Sequence, residues 1–129
     1  MDDVRSARSF QPDPGALSEI RRFVAEEIER LSFRSFKDDL LLAVTEACSN
    51  AIRHSGTNEV RVAIVPAESC LEIIVSDDGV YRPLVPVPEL DGEGHRGIHL
   101  MTAVVDDFSL HQGTPARPGT TVSLVKCKN

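Results

Sequence analysis

The hydrophobic period of this 129-residue chain first changes between His54 and Val60, and that change limits what the chain can fold into. Before it, apolar residues recur at helical spacing. Leu17, Ile20, Val24, Ile28 and Leu31 predict an amphipathic helix over Ala16 to Leu31. Leu40, Leu41, Val44, Ala47, Cys48 and Ala51 predict a second, strongly apolar one over Lys37 to His54, with Ser32 to Phe36 as the connection. Gly56, in Ser55-Gly56-Thr57-Asn58, suits a left-handed cap. After the change the period is two. Val60, Val62 and Ile64 alternate with Arg61 and Ala63, and Leu71, Ile73 and Val75 alternate with Glu72, Ile74 and Ser76. The Pro66-Ala-Glu-Ser69 link makes these a predicted antiparallel hairpin.

From Val80 to Arg96 the chain carries Pro83, Pro86, Pro88, Gly92 and Gly94, which neither a central strand nor a long helix accommodates. A loop of that length in a compact domain usually has a use, such as covering a ligand. Gly97 to Val105 predicts a third helix, followed by strands at Asp107 to His111 and Thr120 to Lys126. Helices grouped beside a hairpin predict an α+β fold: a two-layer sandwich with helices on one face of a mixed, mainly antiparallel sheet. Met1 to Phe10 reads as an arm or short strand that Gln11-Pro-Asp-Pro-Gly15 interrupts, so residues 1–15 are expected to precede a single domain over 16–129.

Composition then excludes function classes. A net charge of −6 argues against bulk attraction to nucleic acid or anionic lipid. No apolar run approaches ~18 residues and the first fifteen residues lack an apolar core, so neither a membrane span nor a signal peptide is expected. A cytoplasmic protein is the expectation. Cys48, Cys70 and Cys127 form no CxxC pair, and reduced, buried thiols are expected at all three.

Four clusters can carry chemistry. Glu46, Asn50 and His54 follow one another at four-residue steps and share a helix face, with Asp39 and Arg53 in the same arc. A carboxylate and an amide one turn apart suit a hydrated divalent cation and phosphate oxygens. That arc is read as lying opposite the apolar stripe, as a merely solvated face also would. The strand ending in Val75-Ser76-Asp77-Asp78-Gly79 offers a carboxylate to an exocyclic amine and a glycine to a flat ring, although Asp and Gly also suit an ordinary turn. Gly92-Glu-Gly94-His95-Arg96-Gly97, before the third helix, is suited to an anion, but it is not the G-x-x-x-x-G-K-[ST] loop. Pro118-Gly119-Thr120-Thr121 alone reads as a hairpin corner.

Taken together, these clusters resemble the Bergerat-fold (GHKL-type) ATPases, and within them the small anti-sigma-factor serine/threonine protein kinases of bacteria. Leu42-Ala-Val-Thr-Glu46-Ala-Cys-Ser-Asn50-Ala-Ile-Arg53-His54 resembles the N box of that branch. Val75 to Gly79 resembles the first glycine box, Gly94 to Met101 the second, and Gly119-Thr120-Thr121-Val122 the last, in family order over roughly Ala16 to Lys126. The resemblance implies ATP and Mg²⁺ as cofactors. Asn50 would hold the Mg²⁺ and Glu46 would be the catalytic base. Asp77 would bind the adenine amine, with Gly79 beside the ring and Thr120 in support. Gly94, His95, Arg96 and Gly97 would close over the phosphates, with Arg53 or Arg96 adding positive charge. Two positions depart from the pattern: Tyr81 stands where a second glycine is usual, and His95 where glycine is frequent.

By the same resemblance the chain is expected to phosphorylate a small anti-sigma-factor antagonist with a STAS-type domain. It would also hold a sigma factor inactive, as a homodimer. The alternative is a non-catalytic switch protein on the same fold. A histidine kinase's catalytic half is disfavoured, because no helix pair bearing a phosphoacceptor histidine accompanies the motifs. No direct nucleic-acid or membrane contact is expected.

Overall fold

A computed structural model describes residues 6–31, 33–54, 58–79, 100–114 and 116–128. The elements are β1 (Ser6–Phe10), α1 (Ala16–Arg30), a 3-10 turn at Arg34–Phe36, α2 (Lys37–His54), β2 (Val60–Pro66) and β3 (Cys70–Asp77). A helical segment at residues 100–104, β4 (Asp107–Gln112) and β5 (Thr120–Cys127) follow. The strands form one sheet in the order β1-β2-β3-β5-β4, and every neighbouring pair is antiparallel. The expected α+β fold with a mainly antiparallel sheet is present, and every ladder among the described strands is antiparallel. β3 and β4 do run in the same direction, but β5 lies between them, so no parallel ladder forms among the described strands.

The period-two pattern sets the sheet's two faces. Val60, Val62, Ile64, Leu71, Ile73, Val75, Val122 and Leu124 are buried on the side that the helices cover. Ile20, Val24 and Ile28 of α1, and Leu40, Val44, Ala47, Cys48 and Ala51 of α2, meet them there. Met101, 1% exposed, brings the helical segment into the same core. The other face carries Arg61, Glu72, Ser123, Ser109 and His111, with the Ser123 hydroxyl donating to Glu72 Oε2. Among the described residues helices therefore cover one side only, in keeping with the α+β reading.

The predicted arm is a strand, with Ser6 to Phe10 pairing with Ile64 to Val60. It is also pinned across α1: the Ser6 hydroxyl donates to Glu27 Oε1 at 2.9 Å, and the Phe10 and Phe23 ring centroids lie 6.0 Å apart. Glu27, the one charged side chain among the buried described residues, accepts in turn from Arg30 at 3.2 Å. The Pro-rich stretch that breaks β1 also starts α1. Asp13 Oδ1 accepts the Ala16 N–H at 3.0 Å, satisfying one of the helix's free donors.

The cysteine expectation holds for Cys48 alone. Cys48 is a free, buried thiol whose surroundings push its pKa up to about 12, because burial disfavours the thiolate. Cys70 and Cys127 are instead joined in a disulfide. They stand opposite each other in the β3–β5 register, and the Lys128 N–H donates to Ser69 O at 2.7 Å. That bond makes Cys70 and Cys127 a non-hydrogen-bonded pair, the kind in which antiparallel backbones approach most closely, and their Cα atoms are 3.9 Å apart. Only strand register brings together two cysteines 57 positions apart, and no local motif announces it. A link closing a loop of that length stabilises the fold by about 4 kcal/mol on a chain-entropy account.

Among the described residues no helix is long and apolar enough to cross a membrane.

Candidate functional site

β3 ends in a carboxylate held from two sides. Asp77 faces Thr120 across the ladder, and its Oδ1 accepts the Gly79 N–H at 2.9 Å, while the Thr120 backbone N–H also donates to it. Its pKa is nonetheless raised. Desolvation is the largest cause, the Gly79 and Thr120 N–H groups oppose it, and the neighbouring Asp78 adds to the rise. Gly79 is itself buried beside it. Two backbone donors on a half-buried carboxylate fix its orientation and leave acceptor capacity for a ligand's amine.

The support comes from a residue whose role the sequence hid. Gly119 has φ +136°, and a Cβ there would lie 2.7 Å from the carbonyl oxygen of Asp77. No other residue fits this approach without moving β5 away from Asp77. Pro118-Gly119 looks like any hairpin corner, and its signal lies only in its position immediately before Thr120. Asp78 proves to serve the backbone: its Oδ1 accepts the Asn58 N–H at 2.8 Å and the Glu59 N–H at 3.4 Å. The Asp77-Asp78 pair thus divides its work. Asp77 holds the candidate ligand position, and Asp78 ties the start of β2 to the end of β3.

Helix α2, which carries the polar arc, packs over β3 and β5. Near its start, Asp39 Oδ2 lies 3.7 Å from Lys126 Nζ at the far end of β5. From Asp39 to Asn50 the helix rises about 16 Å at 1.5 Å per residue. From Lys126 back to Thr120 the strand spans about 20 Å. The two lengths agree to within about one helical turn, and Glu46 lies one turn before Asn50.

The arc does not lie opposite the apolar stripe, as the spacing had suggested. Glu46 and Asn50 are half-buried, and Asn50 Oδ1 is fully buried with no hydrogen-bond partner among the described residues. On the helical wheel Asn50 borders the stripe that Ala43 and Ala47 bury, which explains why part of its side chain enters the interior. A buried amide oxygen without a donor is rare in a folded protein and costs free energy unless something else satisfies it.

The remaining predicted residues, Gly94, His95, Arg96 and Gly97, lie outside the described residues, as do Tyr81 and the side chain of Arg53. Among the described residues there is no group of three or more His, Cys, Asp or Glu able to cage a metal. A single buried amide oxygen fits the other mode, in which Mg²⁺ keeps its waters and takes most remaining ligands from phosphates. The described residues therefore offer one hard oxygen donor on α2, and one oriented carboxylate acceptor and a glycine-lined backbone at the end of β3.

A family model described as a histidine kinase-like ATPase domain matches residues 10–126. Among curated proteins, a serine-protein kinase RsbW of Bacillus licheniformis is 35% identical over 109 residues, covering 71% of this chain and 65% of the relative. The namesake protein of Bacillus pumilus is 32% identical over 126 residues, covering 83% and 69%. The chain thus spans about two thirds of the length of these relatives. Among solved structures, the RsbU and RsbW domains of a Mycobacterium tuberculosis protein superpose with a TM-score of 0.71 at 18% identity, over 95% of this chain and 32% of that one. The mycobacterial sensor histidine kinase MprB gives 0.55 at 19%, over 96% and 97%.

Proposed function

Because the chain belongs to the histidine kinase-like ATPase domain family, and to its branch of RsbW-like anti-sigma-factor kinases, we propose that it is an ATP-dependent serine/threonine protein kinase. It transfers the γ-phosphoryl group of ATP to a hydroxyl on a small STAS-type antagonist. In its other state it holds a sigma factor inactive. The protein works as a cytoplasmic homodimer, and the state of the antagonist decides which partner it keeps.

The observation that carries this reading is the Oδ1 of Asn50, buried with no partner among the described residues, in a chain whose Asp77 carboxylate is already oriented by Gly79 and Thr120. Asn50 would hold Mg²⁺, which when bound neutralises charge on the phosphates. Asp77 accepts a hydrogen bond from the adenine amine, and Gly79 lets the ring lie against the backbone. Glu46, half-buried one turn before Asn50, takes the proton from the attacking hydroxyl at its carboxylate. Gly94 to Gly97 supply backbone N–H groups to the phosphates, and Arg53 and Arg96 supply positive charge. The net charge of −6 does not oppose this, since phosphoryl transfer depends on local positioning and charge neutralisation.

The test is incubation with labelled ATP, Mg²⁺ and a candidate antagonist. A phosphoester on serine or threonine, stable to conditions that hydrolyse acyl phosphates, supports the kinase. One sequence feature favours a second reading, a switch protein that binds its partner without turnover: Tyr81 occupies a position where the first glycine box usually has glycine. That reading predicts sigma-factor binding with no labelled product.

A further inference from the structure

The disulfide lies at the opposite end of the β3–β5 ladder from Asp77 and Thr120, and it joins other fastenings there. The Cys127 N–H donates to Asp106 Oδ2 at 2.6 Å, and the Asp106 N–H donates to Val125 O at 2.8 Å. Lys126 Nζ reaches Asp39 at 3.7 Å and Asp106 at 3.9 Å, and lies 5.7 Å from the centre of the Phe36 ring. Lys128 Nζ lies 4.7 Å above Phe33, which is buried. The end of β5 thus grips the connection between α1 and α2 on the covered side of the sheet. On the uncovered side, the disulfide holds that same end to β3. Both of its cysteines are partly exposed, whereas Cys48 is fully buried.

We propose that Cys70–Cys127 is a thiol–disulfide exchange site, opened by a dithiol reductant, which fastens and releases the end of β5 against the α1–α2 connection. Its accessibility on the uncovered face distinguishes it from a bond sealed in a core. A thiolate of the reductant attacks one of the two sulfurs, forming a mixed disulfide and expelling the other cysteine as a thiolate, which takes up a proton. The second thiol of the reductant then displaces the first cysteine and closes to a disulfide. The protein gains two electrons and two protons, and the dithiol loses them.

Opening the bond leaves the ladder's hydrogen bonds in place, but it removes the covalent restraint on residues 125–128. Those hydrogen bonds and weaker ties, partly exposed ion pairs and cation–π contacts, then carry the load without it. Local opening should become more frequent there and at residues 33–37, and much less so at residues 120–122.

The experiment equilibrates the full chain with a graded series of reduced-to-oxidised glutathione ratios, completed by a dithiol. Each sample is alkylated with iodoacetamide under native conditions and weighed intact. Two added groups are expected on the reduced chain and none on the oxidised one, with Cys48 protected in both. Hydrogen exchange on the same samples should be about tenfold faster at residues 125–128 and 33–37 after reduction. A Cys70→Ala, Cys127→Ala variant should show the fast pattern in every buffer. The wild-type series decides the matter even if that variant fails to fold. A bond that survives the whole series, thiols that never pair under oxidising conditions, or exchange at residues 125–128 unchanged by reduction would each overturn the proposal.

Discussion

The two ends of the β3–β5 ladder share one backbone pattern and differ in what they leave unsatisfied. At the Cys70–Cys127 end a disulfide, a carboxylate on a backbone N–H and two lysines on phenyl rings close off the edge. At the Asp77–Thr120 end the Asp77 carboxylate is oriented but not saturated, and on α2 the Asn50 Oδ1 is buried without a partner among the described residues. Binding capacity resides where the fold leaves polar groups placed and unspent, and the fastenings that make such placement tolerable lie elsewhere on the same strands. This is why the net stability of the sheet and the competence of the site should respond to different substitutions.

The largest test of that division is Glu46→Ala. Loss of a general base typically costs about 10²- to 10⁴-fold in rate, so phosphotransfer to an antagonist should fall by that order while nucleotide affinity is retained. Equal losses in both would mean that α2 is disturbed as a whole. Next is Ile73→Ala, in the buried middle of β3 between the two ends. Removing that side chain should cost roughly 2–5 kcal/mol in a urea titration, with the wild-type unfolding slope preserved. A cost below about 1 kcal/mol would show that the core does not couple the two ends.

Asp77→Asn keeps the acceptor for Gly79 and Thr120 but turns a donor toward the adenine amine. Nucleotide binding should weaken by about 1–3 kcal/mol, and an unchanged dissociation constant would count heavily against the adenine assignment. The same variant has a pH signature. Because the folded-state pKa of Asp77 is raised, the fold binds its proton more tightly than the unfolded chain does. The corresponding stability is fully present below the ordinary aspartate value and is lost as pH rises through the raised one. Urea midpoints measured upward from about pH 4 should show this decline in the wild type and a shallower one in Asp77→Asn.

The smallest effect belongs to the closed end. Lys126→Ala removes ion pairs to Asp39 and Asp106 and a cation–π contact, in a side chain still partly exposed, and should cost no more than about 1 kcal/mol. A loss of several kcal/mol would make this end, rather than the shared core, the main source of stability.

What could be read from the chain follows the physical range of each signal. Hydrophobic period is local, and the bounds of α2 and the extents of β2, β3, β4 and β5 emerge from it to within a residue or two. Asp77, Gly79 and Thr120 were visible as motif residues, yet what they do for one another depends on register, which no local pattern carries. The same limit hid the Cys70–Cys127 bond and the need for glycine at position 119. The burial of Asn50 is illegible in the sequence for a different reason. A four-residue spacing shows that side chains share an arc, whereas the depth of that arc depends on how α2 is rotated over β3 and β5.

The strand order has a consequence for how this molecule comes into being. β5 is made after every other described element, yet it lies between β3 and β4 rather than at an edge. Until residues 120–127 have emerged, β4 has no neighbour to pair with, and the carbonyl of Asp77 has no Gly119 lying against it. The sheet can therefore grow from the β1 side only as far as β3 and must then wait for its final strand, a non-local closure of the kind that slows folding. During synthesis, a chain that stops short of residues 120–127 carries Asp77 without the strand that lies against it, so the proposed site is assembled only once β5 has been made.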